Sequence, residues 1–428
     1  MSAIAQDLIR FIDQSPSPAH VLATCQQRLV AAGYQALNAD AEWQLQAGKS
    51  YYICRGAGSI IAFSLAAEAA SGFRLVCAHT DSPTLKLKPR AAHSSDGLLR
   101  IGVEVYGSPI LASFADRDLG LAGRVAVQRE GKTEYRLVSI TRPILRLPNL
   151  AIHLNRDVNE QGLKFNKQTQ LPLILGQLQG SVDAEHTLLS LIAENAGCAP
   201  EQILSMDLNV VDLQAGAIWG AHEEFISDSQ LDNLVSCHSA LVALLDSQAK
   251  QQHRVCALFD HEEVGSESAS GADGSFLSDT LLRISHALGL NPSQHLQSLA
   301  KSFVISADMA HAFHPNHADK YEPCHHVSIN QGPVIKHNVN QRYATGLESS
   351  TRFIQLCKEA GVPYQQYSHR SDLGCGSTVG PMVAAQLGVD CVDVGCAMWS
   401  MHSVRETAGI LDIDYMIRVL KQYYSSAV

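Results

Sequence analysis

The sequence predicts an α/β protein: a mixed central sheet flanked by helices, interrupted by an inserted β-rich segment. Three observations carry this reading. Short apolar runs at 74–78, 255–259, 303–307 and 391–395 each lead into polar residues, as buried strands of an open sheet do. Amphipathic helical patterns separate most of these runs. Between them, apolar and polar residues alternate with period two and glycines punctuate the alternation, an all-β signal. The expected organisation is a first α/β part over 1–90, an insertion over 91–225 and a second α/β part over 226–428.

Ile4, Leu8, Phe11 and Ile12 share one helical face. Ser17-Pro18 starts a second helix, with serine as cap and proline in the first turn, and Gly33 closes it. Segments 51–55 and 59–64 read as paired strands around Gly56-Ala-Gly58, followed by the strand that ends at His79. From Lys86 the texture changes. Leu85 and Leu87 and the segments 99–106, 124–128 and 135–140 alternate, with glycines at 97, 102, 107, 120, 123 and 131, and 187–196 supplies a helix. The α/β texture resumes at Leu231, where Leu234, Val235, Leu241, Val242 and Leu245 form an apolar face. Strand 255–259, helix 277–288, strand 303–307, helix 350–360, strand 391–395 and helix 413–424 follow.

Composition excludes several classes. At 428 residues, 46% hydrophobic and 17% charged, the chain buries a large core and does not read as disordered. Its net charge of -10 and lack of any basic run argue against a nucleic-acid partner. There is no apolar stretch of membrane-spanning length and no visible signal peptide. Eleven cysteines without Cys-x-x-Cys spacing, mostly inside apolar runs, read as reduced thiols of a cytoplasmic protein.

The chemistry gathers where the apolar runs end. Val255 to Phe259 leads to Glu262 and Glu263, 74–78 leads to His79-Thr-Asp81, 303–307 leads to Asp308, and 391–395 precedes His402. Open α/β sheets bind ligands at the carboxyl ends of their strands. Asp232 stands near a helix start, a position that equally suits a cap or a dipole partner. Two histidines and several carboxylates at one sheet edge suffice for two divalent metals with one carboxylate to spare, the composition of a co-catalytic hydrolase site. Of the two glutamates, one would bind metal and the other act as general base. Asp81 is placed to hold one tautomer of His79. His311, His314, His317, His325 and His326 match no standard zinc spacing and read as loop and surface residues.

The motifs Ala78-His-Thr-Asp-Ser-Pro83, Phe114-Ala-Asp-Arg-Asp-Leu119, Lys164-Phe-Asn-Lys-Gln168, Leu231-Asp-Asn-Leu234, Glu262-Glu-Val-Gly-Ser266, Ser306-Ala-Asp-Met-Ala-His311, Gly332-Pro-Val-Ile-Lys336 and Ser400-Met-His-Ser403 occur in this order. Together they resemble the aspartyl aminopeptidase family of dinuclear zinc metalloaminopeptidases, nearly end to end. The resemblance implies a three-layer sandwich of zinc-exopeptidase type and a dimerisation role for the insertion. It implies that Asp232 bridges two metals, His79 and Asp308 complete one site, and Glu263 and His402 the other. Glu262 would be the general base and Asp81 the partner of His79, with a cis peptide at Asp232-Asn233. Lys336 would face an acidic substrate side chain, and His153 would reach a neighbouring subunit's active site in a tetrahedral dodecamer built from dimers. The metals would be zinc, with cobalt and manganese as alternatives. Phe114-Ala115, His261 and Cys396-Ala397 depart from the family pattern at positions that are not ligands.

The expected activity is hydrolysis of the first peptide bond of peptides with an acidic N-terminal residue. A dinuclear deacylase acting on N-acyl amino acids is the alternative, and a catalytically silent assembly module a third.

Overall fold

The computed structural model describes residues 3–67, 72–178, 183–247 and 252–426. Alternation inside the apolar runs decides its layering, because successive side chains of a strand face opposite ways. In the strand Phe73–His79, Val76 and Ala78 join one core while Leu75 and Cys77 join another. The neighbouring strands His253–Phe259, Phe303–Ala307 and Cys391–Gly395 divide their side chains in the same way. A sheet apolar on both faces needs cover on both. One face receives Leu234 and Leu241 of the helix Leu231–Asp246 and Met416, Leu420 and Tyr423 of the helix Ile410–Ser425. The other receives Phe276 and Leu281 of the helix Phe276–Ala287 and Val383 of the helix Val379–Leu387.

Among the described residues this sheet has nine strands. Their spatial order is Gln35–Ala36, Ser50–Arg55, Ser59–Ser64, His253–Phe259, Phe73–His79, Phe303–Ala307, Cys391–Gly395, Val334–His337 and Gln365–Ser368. The four central strands are parallel, and antiparallel neighbours on either side make the sheet mixed. The register pairs Phe259 with His79, Ser306 with Cys77 and Ala307 with Val394. The carboxyl ends of all four central strands therefore share one edge.

A six-stranded antiparallel sheet, in the order Lys132–Leu145, Leu119–Arg129, Ile203–Asp212, Thr84–Ser95, Leu98–Tyr106 and Leu173–Gln177, has its own core of Leu85, Ile101, Leu121, Val138 and Leu208. Leu188 and Ile192 of the helix Ala184–Ala196 cap that core. Its strands begin at Thr84 and end at Asp212.

A third sheet of five short strands was not anticipated: Ala217–Trp219, Phe225–Asp228, Glu406–Gly409, Ala397–Trp399 and Ala310–His311. Strands of two to four residues are too short to show a period. The helix Pro292–Ala300 also escaped the reading, although Asn291 caps it and Pro292 opens it. No helix among the described residues is long and apolar enough to cross a membrane.

Candidate metal centre and active site

His79 is the last residue of its strand and is 1% exposed. Its Nδ1 lies 3.0 Å from the backbone carbonyl of Asp81. A carbonyl only accepts, so Nδ1 carries the hydrogen and the Nε2 lone pair faces the sheet edge. His402 is set in the same way, with Nδ1 donating to the carbonyl of Ser108 at 3.1 Å. Its backbone has φ +68°, and His261, just before the paired glutamates, has φ +67°. Non-glycine residues hold this left-handed conformation where the surroundings over-determine it, a habit of functional sites.

The two lone pairs meet carboxylates. His79 Nε2 is 3.5 Å from Asp232 Oδ1 and 3.4 Å from Asp308 Oδ1. His402 Nε2 is 3.5 Å from Asp232 Oδ2 and 3.4 Å from Glu263 Oε2. Asp232 thus offers one oxygen to each set. Ligand atoms of His79, Glu262 and Glu263 also lie within 4.8 Å of one another. Lone pairs of neutral imidazoles facing carboxylate oxygens repel unless a proton or a metal cation lies between them. Two atoms each about 2.0–2.1 Å from one tetrahedral zinc ion lie roughly 3.3 Å apart. The observed separations match that spacing, and Asp232 Oδ1, buried without a hydrogen-bond partner, is a free ligand atom. The donor set fits divalent cations.

Each ligand is braced from behind. The backbone N–H of Asp308 donates to Val394 at 2.8 Å, an approach that needs glycine at the next position, since a Cβ on Gly395 would stand 1.8 Å from the Asp308 carbonyl. Asp232 and Asn233 interrupt their helix, and the peptide bond between them is cis. The Asp232 carbonyl accepts from Ser82 Oγ at 2.6 Å, and Asn233 Nδ2 donates to Ala307 O at 2.9 Å. Glu406, 1% exposed, accepts the backbone N–H of Asp232 at 2.9 Å and of His402 at 2.6 Å, and so ties the two sets together.

Asp81 does more than orient His79. Its backbone carbonyl takes the imidazole proton, while its carboxylate accepts the N–H groups of Glu262 and Glu263, both at 3.1 Å, and the Tyr106 hydroxyl at 2.7 Å. The carboxylate also stays beside the ring, with Oδ1 3.5 Å from His79 Nδ1, and so adds a clamp on the turn Glu262–Val264 to its expected place next to the imidazole. Glu406 and Tyr106 were missed. Both act on partners distant in sequence, and neither lies in a pattern that periodicity reveals.

Electrostatics reflect a cluster built for positive charge. Burial pushes the Glu262 carboxyl up to about 8; Asp308, Asp81 and Asp232 add to this and His79 opposes it. Burial and then the Asp232 charge push Glu263 well above the usual range. Burial also resists charge on Asp232, but His402 and His79 override it and hold Asp232 below its ordinary value. Burial works against a proton on His79, yet the carboxylates of Asp232, Asp308 and Asp81 raise it well above normal.

Lys336 is buried, with Nζ 3.2 Å from Asp308 Oδ2, 3.1 Å from the Met309 carbonyl and 5.0 Å from the centre of the Tyr343 ring. His153 stands on an exposed turn, Ile152–Leu154, and is not among the residues that gather at the centre. The histidine-rich loop needs one correction. His311 is half-buried against Tyr367, and burial lowers its pKa to about 4, so it is not a surface residue.

Comparison with known proteins bears on the family and the fold. Residues 11–424 match the model of a family described as aminopeptidase I zinc metalloprotease (M18). A probable M18 family aminopeptidase 2 from Ectopseudomonas mendocina is 45% identical over 429 residues, spanning 99% of this chain and 98% of the relative. The cryo-EM structure of the Ape4 and Nbr1 complex superposes with a TM-score of 0.95 at 37% identity, covering 98% of this chain and 85% of that one. The S. cerevisiae mApe1 dodecamer superposes at 0.86 with 26% identity, covering 99% and 96%. Family match, near full-length identity and shared fold together place the chain in the M18 family of zinc metalloaminopeptidases.

Proposed function

We propose that the protein removes N-terminal residues, acidic ones by preference, from peptides at a centre of two divalent cations, zinc first among them. His79, Asp232 and Asp308 would hold one and Asp232, Glu263 and His402 the other. The observation that carries this reading is the pair of histidine Nε2 atoms, each 3.4–3.5 Å from two carboxylates, with Asp232 common to both sets. Bound there, the cations polarise the scissile carbonyl and acidify the attacking water.

The side chains do the rest. Glu262 faces the cluster without being needed as a ligand, so its carboxylate accepts the proton of the attacking water and hands it to the leaving amine. Burial raises its pKa, so its carboxylate takes up a proton more readily than a solvated one. The Asp81 clamp keeps the Glu262 and Glu263 backbone in place, so base and ligand approach the same point from one turn. Lys336 has three donors, of which Asp308 and Met309 engage two; the third would meet a substrate carboxylate.

The insertion over 91–225 would serve as the dimerisation domain. Leu150, Ile152 and Leu154 are 58%, 47% and 74% exposed around His153, an apolar surface suited to a second subunit. We propose a homo-oligomer built from dimers, a dodecamer like that of the S. cerevisiae mApe1 neighbour, and a cytoplasmic location.

The test is turnover of Asp-, Glu- and Leu-aminoacyl amides with and without chelator, alongside native mass and the Glu262→Gln variant. The reading expects chelator-sensitive turnover that favours the acidic substrates, and a variant that keeps its metal yet loses activity. Turnover of N-acyl amino acids instead of aminoacyl amides would establish a deacylase. Full activity of Glu262→Gln would remove the assigned base.

A further inference from the structure

The strand that ends in His79 carries an arginine, Arg74, near its other end. Five residues at about 3.3 Å each put the two side chains on opposite edges of the sheet. Arg74 is 2% exposed, its Cζ lies 5.2 Å from the centre of the Tyr423 ring, and its buried Nε and Nη1 have no hydrogen-bond partner. The adjacent strand places Arg254 in register with it. Arg254 is 5% exposed and its Nε likewise lacks a partner, although its Nη1 donates to the Leu244 carbonyl. Among the described residues, neither arginine has a carboxylate within ion-pair distance. Burying guanidinium groups without a counter-charge is costly, and proteins rarely leave it uncompensated.

Arg74 lies in the wall of a cleft of about 640 Å³ whose other lining residues include Arg352 and Gln355. Arg352 sits over the Phe303 ring at 4.4 Å and has no carboxylate partner among the described residues. Two glutamates, Glu348 and Glu359, also line the cleft, but both are exposed and Glu359 accepts from Gln422. The buried side of the cleft is thus cationic and its rim acidic. Arginine forks match the oxygens of phosphate and carboxylate groups, and the volume admits a molecule well beyond a bare ion.

We propose that this cleft is an oxyanion-binding site, remote from the metal centre, that takes the phosphate or carboxylate group of a small molecule on Arg74 and Arg352. The test is thermal unfolding of the metal-loaded protein titrated with inorganic phosphate or with acetate, against sodium chloride at matched ionic strength. A ligand that binds only the folded state raises the midpoint in a saturable way. The expected result is such a rise with at least one anion, shifted at least tenfold to higher concentration in Arg352→Gln and in Arg74→Gln. A stronger response to phosphate assigns the phosphate class, and a stronger response to acetate the carboxylate class. Arg352 is only half-buried, so its variant decides the matter even if Arg74→Gln does not fold. No rise beyond chloride, or a rise unchanged in Arg352→Gln, overturns the proposal; the latter would mean the anion binds elsewhere, at the metals for instance.

Discussion

Glu406→Gln tests how much of the centre's order comes from behind the ligands. The carboxylate accepts two backbone N–H groups, those of the shared Asp232 and of His402, at 2.9 Å and 2.6 Å. Glutamine is nearly the same size, but it offers one acceptor oxygen, and its amide turns a donor towards the other N–H. One hydrogen bond is lost and a buried N–H is left without a partner, a change worth about 1–3 kcal/mol. With 1.4 kcal/mol per factor of ten, that is roughly 5- to 150-fold. The loss should fall on metal affinity, because the two N–H groups belong to Asp232 and His402, whose side chains define the two sets. Chelator competition measures it directly, and kcat/KM at saturating metal shows how far geometry recovers when the cations are supplied in excess. Metal affinity within twofold of the unaltered protein, with only thermal stability reduced, would refute the reasoning and reduce Glu406 to scaffold.

Removing the metals should make stability depend on pH in a definite direction. Glu262 has a folded pKa raised to about 8 from 4.5, so its protonated form favours the fold at low pH and that contribution is lost as pH rises from 4.5 to 8. His402, also raised, contributes below its unfolded value near 6.5 and loses the contribution as pH rises through its folded pKa. The gap in Tm between metal-loaded and chelated protein should therefore widen from pH 5 to pH 8, and a constant or narrowing gap in a calorimetric series would contradict it. Lys336→Met should cost about 1.5–3 kcal/mol in kcat/KM for Asp-aminoacyl amides and far less for the Leu substrate, since the lost contact is a hydrogen bond to charge; equal losses would show that Lys336 acts only by bracing Asp308. Tyr423→Phe removes a hydroxyl that donates to Phe303 O at 2.5 Å and accepts from Leu75 N at 3.2 Å. Urea unfolding should show about 1–3 kcal/mol of destabilisation with metal content unchanged.

Local patterns carried far. The four central strands were visible because each is apolar on both faces, and the candidate site residues were visible because His79, the Glu262-Glu263 pair and Asp308 follow strand ends closely. His402 was harder, since six residues, a short strand among them, separate it from Gly395. What stayed hidden depended on contacts that no window along the chain contains. Tyr106 reaches Asp81 from the insertion, Glu406 reaches Asp232 across 174 residues, and Phe225–Asp228 is a strand through its pairing with Ala217–Trp219 on one side and the distant Glu406–Gly409 on the other. His311 looked like a loop histidine because its neighbours are; tertiary packing buried it.

The order in which the ligands appear along the chain, at 79, 232, 263, 308 and 402, also bears on how the protein is made. A nascent polypeptide that has reached residue 400 has neither His402 nor the Glu406 carboxylate that accepts the Asp232 and His402 backbone N–H groups. On the proposed assignment, capture of a second cation would therefore wait until synthesis is nearly finished. A chain cut short before that point would lack His402 and Glu406, and with them the complete proposed centre.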